Sequence, residues 1–386
     1  MSKKQGNVVK FPELNIENSQ AEQHGKKRRS PLRAIVSAIA AVFVVCVVSA
    51  VIIHSSEESS GFFYRVTAHF ALDKNDGGLS QVYQYQSGKE NVYTALKNGL
   101  VMASETDVKY YNRNGDEVLS KSVDLESPAV ASAGNTAVVY DRGGGSVTAF
   151  TGIRDVYEGS VDGSITSVSV SKSGSFAVSW RESGYRSSVT VFDGRGREVY
   201  YCGYTSGYAT AAELSPNGVH LAVAVASQQD GAVLNRIDLY DMGSSEVKAT
   251  KNIGDELVLD IGYADKKTIC IVCENRLLFL DAETLGEKGK FSYGGMYLKD
   301  VSFGMDDQVV LLFNRYKGGG KCLVSIVGTD GEQIASYSSE NEINSMDAGA
   351  GKVALLEDTS AVILDKELMP ISSIDNFAGQ RLPLHR

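Results

Sequence analysis

LSPNGVHLAVAVA, residues 214–226, carries two signals back to back. Ser215-Pro216-Asn217-Gly218 is a turn: proline presets φ, asparagine bonds to its own backbone, and glycine accepts the left-handed region. An alternating run follows, with Leu221, Val223 and Val225 on one face and Ala222, Ala224 and Ala226 on the other. Period-two alternation predicts a strand, and two apolar faces predict burial on both sides. Near-copies stand at 131–141 (ASAGNTAVVYD), 170–180 (VSKSGSFAVSW) and 348–358 (AGAGKVALLED). Aligned on this turn, units begin near Asn91, Ser127, Ile165, Ala209, Glu256, Tyr297 and Ile343, at spacings of 36, 38, 44, 47, 41 and 46 residues. A period of roughly 40 to 50 residues with four strands each is that of a propeller blade. The expectation is an all-β fold, a seven-bladed β-propeller, with six or eight blades also within the spacing.

A second landmark recurs in each unit, where a third strand ends in apolar residues and then Asp or Asn. It stands at Asn112, Asp193, Asp241, Asp281 and Asp365, with Asp330 displaced by two in the sixth unit. Such a side chain accepts from backbone N–H groups just ahead and closes a tight turn locally. SPNG and SKSG are therefore expected to join strands a and b, and the Asp/Asn signature strands c and d. The fourth strands (EVLSKSVD, EVKATKNIG, EQIASYSSE) mix polar and apolar residues, as an outer edge requires. GLSQVYQYQSG, 78–88, precedes the first unit and is expected to complete or cap the last blade.

The N-terminal part differs. Residues 1–33 hold eight Lys/Arg and three Glu, a charge of +5. Against the chain's −9, and with no charge in 34–53, this leaves −14 for residues 54–386. So acidic a domain is a poor nucleic-acid binder, because phosphates require clustered cations. AIVSAIAAVFVVCVVSAVII, 34–53, is long enough as a helix to span the roughly 30 Å hydrocarbon layer. Lys26-Lys27-Arg28-Arg29 and Arg33 precede it and Glu57-Glu58 follow. The expected topology is a disordered basic cytoplasmic tail (1–33) lying against lipid headgroups, one transmembrane helix (34–53), a stalk (54–77, with a strand in FFYRVTAHF) and an extracytoplasmic propeller (78–380) at the cell membrane. A cleaved signal peptide is the competing reading, since Val48-Ser49-Ala50 has small residues at the required places. Thirty-three residues before the apolar run, and a run of twenty against the usual roughly 7 to 15, argue against it.

This order of tail, crossing, stalk and repeats resembles a domain family of unknown function among Gram-positive bacterial membrane-anchored propellers. That family is distant kin of WD40-like and quinoprotein-like propellers. The residues carrying the resemblance are Gly99-Leu100 opening a strand, Ser127-Pro128 before a first strand, and Tyr140-Asp141-Arg142-Gly143-Gly144 after a second. The resemblance implies a fold and an anchor but no activity. Trp-Asp dipeptides are absent and Trp180 is the single tryptophan, unlike WD40 proteins and quinoproteins, and no cofactor is expected.

Chemistry-bearing residues are sparse. Of five histidines only His220 falls in the repeats, and no pair has metal-ligand spacing. Cys270-Ile-Val-Cys273 lies in an apolar second strand, where an offset of three sends the thiols to opposite faces, so a core role is expected. Cys202 and Cys322 fall in other strands, with no spacing that argues for bridges. The glycine runs at 141–146 and 315–321 lack the Gly-Lys-Ser/Thr of a phosphate loop and read as hairpins. One pattern points to binding. The b–c and d–a loops of a propeller share a face, and there the chain places Arg142, Arg181, Arg186, Arg315, Lys317 and Lys321, beside Tyr204 and Tyr208. Cations next to aromatic rings suit an anionic glycan or a partner's acidic segment. The first strands PAVASAG, ITSVSVS and ATAAELS read as small and neutral, with Asp260 and Asp300 as carboxylates for the channel.

The leading expectation is a non-enzymatic, membrane-anchored binding or scaffold module for a protein or cell-wall partner. A sensor relaying an external event to a cytoplasmic protein is the second, and an enzyme with a cofactor in the channel the third.

Overall fold

The computed structural model describes residues 91–375 apart from 230 and 359. The tail, the apolar run at 34–53, the stalk and residues 78–90 lie outside the described residues. Among those described, no helix is long and apolar enough to cross a membrane. They form seven four-stranded sheets, each made of consecutive strands paired antiparallel. Blades 1 to 7 span residues 92–122, 128–160, 163–204, 208–254, 258–292, 297–339 and 343–375. Within each blade the strands are a to d in chain order. The expected seven-bladed propeller is thus observed. The last blade has four strands among the described residues, 343–375.

Local turn chemistry sets this meander. Gly218 has φ +70, and its N–H donates to the Ser215 carbonyl at 2.8 Å. The Ser215 hydroxyl accepts from Val219 N at 3.1 Å and His220 N at 2.9 Å, which turns strand a (Tyr208–Leu214) into strand b (His220–Gln229). At the c–d turns Asn112 accepts from the N–H groups of Asn114 and Asp116, and Asp193 from those of Arg195 and Arg197. Asp281 does the same for Glu283 and Thr284, and Asp365 for Glu367 and Met369. Each of these turns forms from sequence neighbours alone, so each hairpin can close before its blade finds another.

Packing then stacks the hairpins. Every residue of strand b is buried in blade 2 (Thr136–Asp141) and blade 5 (Thr268–Cys273), as its two-sided apolar pattern requires. The two faces of LAVAVA go to different junctions. Leu221, Val223 and Val225 join the buried cluster shared with blade 3, whereas Ala222 and Ala224 join the one shared with blade 5. Large side chains thus fill one side and small ones admit Ile261 and Ile271 on the other. Cys270 and Cys273 divide in the same way, one toward blade 6 and one toward blade 4, and both thiols are free. Burial holds the Cys273 thiol up at about 12, with Glu256 adding to it, so neither the separation nor the acidity of a redox pair is present.

Register shifts interrupt the pairing of strand c with strand d in every blade and that of strand a with strand b in blades 3 to 7. In blades 4, 5, 6 and 7 one extra residue of strand a interrupts its pairing with strand b, near Thr210, Leu259, Lys299 and Asn344. Such bulges re-aim the innermost side chains.

Candidate functional site

Two regions are candidates, the rim on the b–c face and the central channel. At the rim of blade 3, strand b (Phe176–Glu182) and strand c (Ser187–Phe192) are joined by the loop Ser183–Arg186. The Arg186 guanidinium lies 5.3 Å from the centroid of the Tyr208 ring and donates to its hydroxyl at 3.4 Å. Tyr208, at the start of strand a of blade 4, is 45% exposed. Cation and ring therefore meet as expected, at a site open to solvent, where such a pair contributes about 0.5–1 kcal/mol. Tyr185, next to Arg186, and Tyr201, on strand d (Glu198–Tyr204), are also exposed, with ring centroids 6.4 Å apart in a T-shaped pair. Gly203 leaves them room: a Cβ there would stand 2.8 Å from the Tyr185 ring and 2.9 Å from the Tyr201 hydroxyl. The Tyr201 hydroxyl is 3.1 Å from that of Ser188, which orients the ring.

The other expected rim residues scatter. Arg181 is exposed but sits in strand b itself, opposite Ser164, and not in the loop. Arg142 follows strand b of blade 2 and lines the central cavity. Arg315 and Lys317 are exposed on the b–c loop of blade 6, on the far side of the ring from blade 3, and Lys321 of that loop pairs with Glu340. Tyr204 corrects the expectation: it is 7% exposed, in the core between blades 3 and 4, and its hydroxyl meets that of Tyr240 at 2.8 Å. Burial pushes its phenol far above the ordinary range. Alternation along strand d explains the reversal. Tyr204 and Tyr200 share one face and join the core, while Tyr201 points outward.

Strand a of blades 2 to 7 lines a central cavity of about 690 Å³. The reading of this strand as neutral is overturned by Glu213 of blade 4, which lines the cavity with Asp260 of blade 5 and Asp347 of blade 7. Asp260, Asp300 and Asp347 are anchored locally: each Oδ1 accepts from the next residue's N–H, at 2.8, 2.9 and 2.8 Å. Asp260 and Asp300 themselves follow directly on the bulge. Glu213 has no such anchor. Burial and then the charge of Asp260 push its carboxyl well above the usual carboxylate range, against the Ser169 hydroxyl. Burial raises Asp347 too, against the Ala348 N–H and Ser302.

A pH dependence follows. The folded chain holds the Glu213 proton more tightly than the unfolded chain does, so ionisation favours unfolding. Below the ordinary glutamate range both states are protonated and the group contributes nothing; as pH climbs past that range toward the raised value, stability falls. Glu213→Gln is expected to flatten the melting temperature against pH and to raise it on the alkaline side. An unchanged profile would show that the carboxyl titrates normally.

His220, the histidine of the repeats, is structural in its contacts. Its Nε2 lies 3.0 Å from Glu283 on the c–d turn of blade 5, and Lys248 pairs with the same carboxylate. These two bonds hold the Glu283 carboxyl below its ordinary range.

Among solved structures the chain is similar to a computationally designed protein, Ika8, with 16% identity over 75% of this chain and 87% of that one, TM-score 0.55. It is also similar to Hsv2 of Kluyveromyces lactis, with 8% identity over 74% and 99%, TM-score 0.53. A third similarity is to the β-propeller domain of Cps50 (Swd1) from Myceliophteria thermophila, with 11% identity over 71% and 94%, TM-score 0.51. At such identities the likeness is one of fold alone. No curated protein matches in sequence. A family model does match, over residues 77–368, which is most of the chain and nearly all of the seven blades, and the chain belongs to that family of unknown function, DUF5711.

Proposed function

We propose that the propeller is a binding or scaffold module, tethered to the cell membrane by residues 34–53 with the blades outside the cell, and that blade 3 presents its recognition surface. The observation that supports this is the grouping of Tyr185, Tyr201 and Tyr208 with Arg186 on one exposed corner. Aromatic rings and arginine are the side chains that dominate recognition surfaces, the rings because they bury large area with few rotatable bonds and arginine because its planar guanidinium stacks on rings and donates several hydrogen bonds. Flat rings beside a cation fit an acidic peptide segment or an anionic cell-wall glycan. The propeller supplies a rigid rim on which that corner is held by strand pairing. The basic segment 26–33 and the uncharged run after it support the tether and its direction.

Crosslinking on intact cells tests both parts. A chain with Tyr185→Ala, Arg186→Glu and Tyr208→Ala is expected to lose its crosslinked partner by at least about tenfold. Arg315→Glu with Lys317→Glu, on blade 6, should leave it unchanged. Retention of the partner by the blade 3 variant would remove the site. Failure of an external, membrane-impermeant reagent to reach the blades would remove the topology.

A further inference from the structure

The face of the ring opposite the b–c loops is built by the a–b and c–d turns, and its charge is unevenly spread. In blades 1 to 3 these turns and the starts of strand d expose Lys97, Arg113, Arg154, Lys172 and Arg195. In blade 6, across the ring, the turns expose Asp306, Asp307, Asp330 and Glu332 and no cation. The five cations form a continuous arc. The Arg113 guanidinium donates to the Lys97 carbonyl at 2.6 Å, and the Lys97 N–H donates to the Gly134 carbonyl at 2.8 Å. A Cβ on Gly134 would stand 3.9 Å from the Lys172 carbonyl. Arg154 donates to the Gly194 carbonyl at 3.3 Å, and Arg195 follows Gly194 in the chain. A Cβ on Gly194 would stand 3.4 Å from the carbonyl of Ser173, next to Lys172.

The carboxylates around the arc do not neutralise it. Asp193 pairs with Arg197, Asp155 with Lys121 and Glu117 with Lys109, which leaves Asp116 and Glu198. Lys172 comes within 3.7 Å of Asp306, but the two side chains are 70% and 95% exposed, so water screens the pair. Arg113 and Arg154 each use a bond to a main-chain carbonyl, which orients the guanidinium and leaves most of its donors for an oxyanion. The large apolar residues that are exposed lie outside these turns, so the arc offers charge without a ring on which a nucleic-acid base could stack. Cations that recur from blade to blade match anions that recur along an extended chain, whereas a compact anion would meet one or two of them.

We propose that this arc binds an extended polymer carrying repeated oxyanion groups, phosphate or carboxylate, on the face opposite the blade 3 corner. The test titrates the full chain in detergent with labelled inorganic polyphosphate and, separately, with labelled polygalacturonate. Lys26, Lys27, Arg28 and Arg29 are changed to Gln throughout, which removes the sequence's other basic cluster. At least one polymer should bind, and the one that binds identifies the oxyanion. Lys97→Glu, Lys172→Glu and Arg195→Glu together should weaken that binding at least about tenfold. All three side chains are exposed, so the melting temperature should hold. The neutral set Lys97→Gln, Lys172→Gln and Arg195→Gln should make log K less steep against log salt by about 2, as each lost cation removes roughly 0.7. Arg186→Glu, in the blade 3 corner, should change neither quantity, so a failure of the corner and a failure of the arc are read apart. Binding of neither polymer, binding that both substituted sets retain, or an equal loss with Arg186→Glu overturns the proposal.

Discussion

Phe313→Ala should destabilise the propeller by about 3–5 kcal/mol, the largest loss expected from a single side-chain truncation here. Phe313 is fully buried on strand b of blade 6 and packs 5.1 Å, centroid to centroid, from Tyr293 of blade 5. Its ring is part of the cluster that joins the two blades, with Val309, Leu311, Cys270 and Phe279 around it. Two rigid sheets held apart by their own hydrogen bonds cannot collapse into the vacated space, so the cavity persists. The loss should fall on the junction, and amide exchange in blades 5 and 6 should rise together. Denaturant unfolding measures the effect. Phe313→Leu, which keeps most of the volume, should lose less than about 1.5 kcal/mol. A loss for Phe313→Ala no larger than that of the leucine variant would mean that the junction is less tightly filled than the structure shows.

Gly304→Val should be comparably damaging, by about 3 kcal/mol or more, for a different reason. Gly304 follows strand a of blade 6 (Tyr297–Ser302), and a Cβ on it would overlap the main-chain carbonyl of Ala348 in blade 7. Neither group is a flexible side chain, so one blade must shift against the other. Gly318 is the control, since a Cβ there meets nothing within 4 Å and its φ is not positive. Gly318→Ala should change stability by less than about 0.5 kcal/mol. Equal stabilities of the Gly304 and Gly318 variants would show that blades 6 and 7 do not approach so closely.

These two positions mark where sequence reading succeeds and stops. Phe313 is legible, because NRYKGGGK follows an apolar run of strand length and the repeat places that run as strand b. Gly304 is not, because nothing within a few residues of it says that a neighbouring blade's carbonyl passes there. The binding corner divides likewise. Arg186 and Tyr208 could be proposed from the shared face of the b–c and d–a loops, which the strand order alone defines. Tyr185 and Tyr201 were missed, although alternation along Glu198–Tyr204 separates Tyr201 from Tyr200 and Tyr204. Which of the two faces meets blade 4 depends on how the blades twist and stack, and Tyr204 was placed on the wrong side of that choice. Glu213 was passed over inside ATAAELS because its neighbours are small. Its raised carboxyl arises from burial first and then from Asp260, forty-seven residues further on and one blade away.

Sequence alone therefore determined the strands, their turns and their grouping into propeller blades, since each rests on residues a few positions apart or on a repeat of them: Gly218 with Ser215, Asp193 with Arg197, alternation within one strand. Only the tertiary structure decided which aromatic rings reach solvent, which carboxyls meet in the channel and where two main chains touch. Those outcomes depend on distances between blades, and a one-dimensional pattern carries no information about how far one hairpin stands from the next.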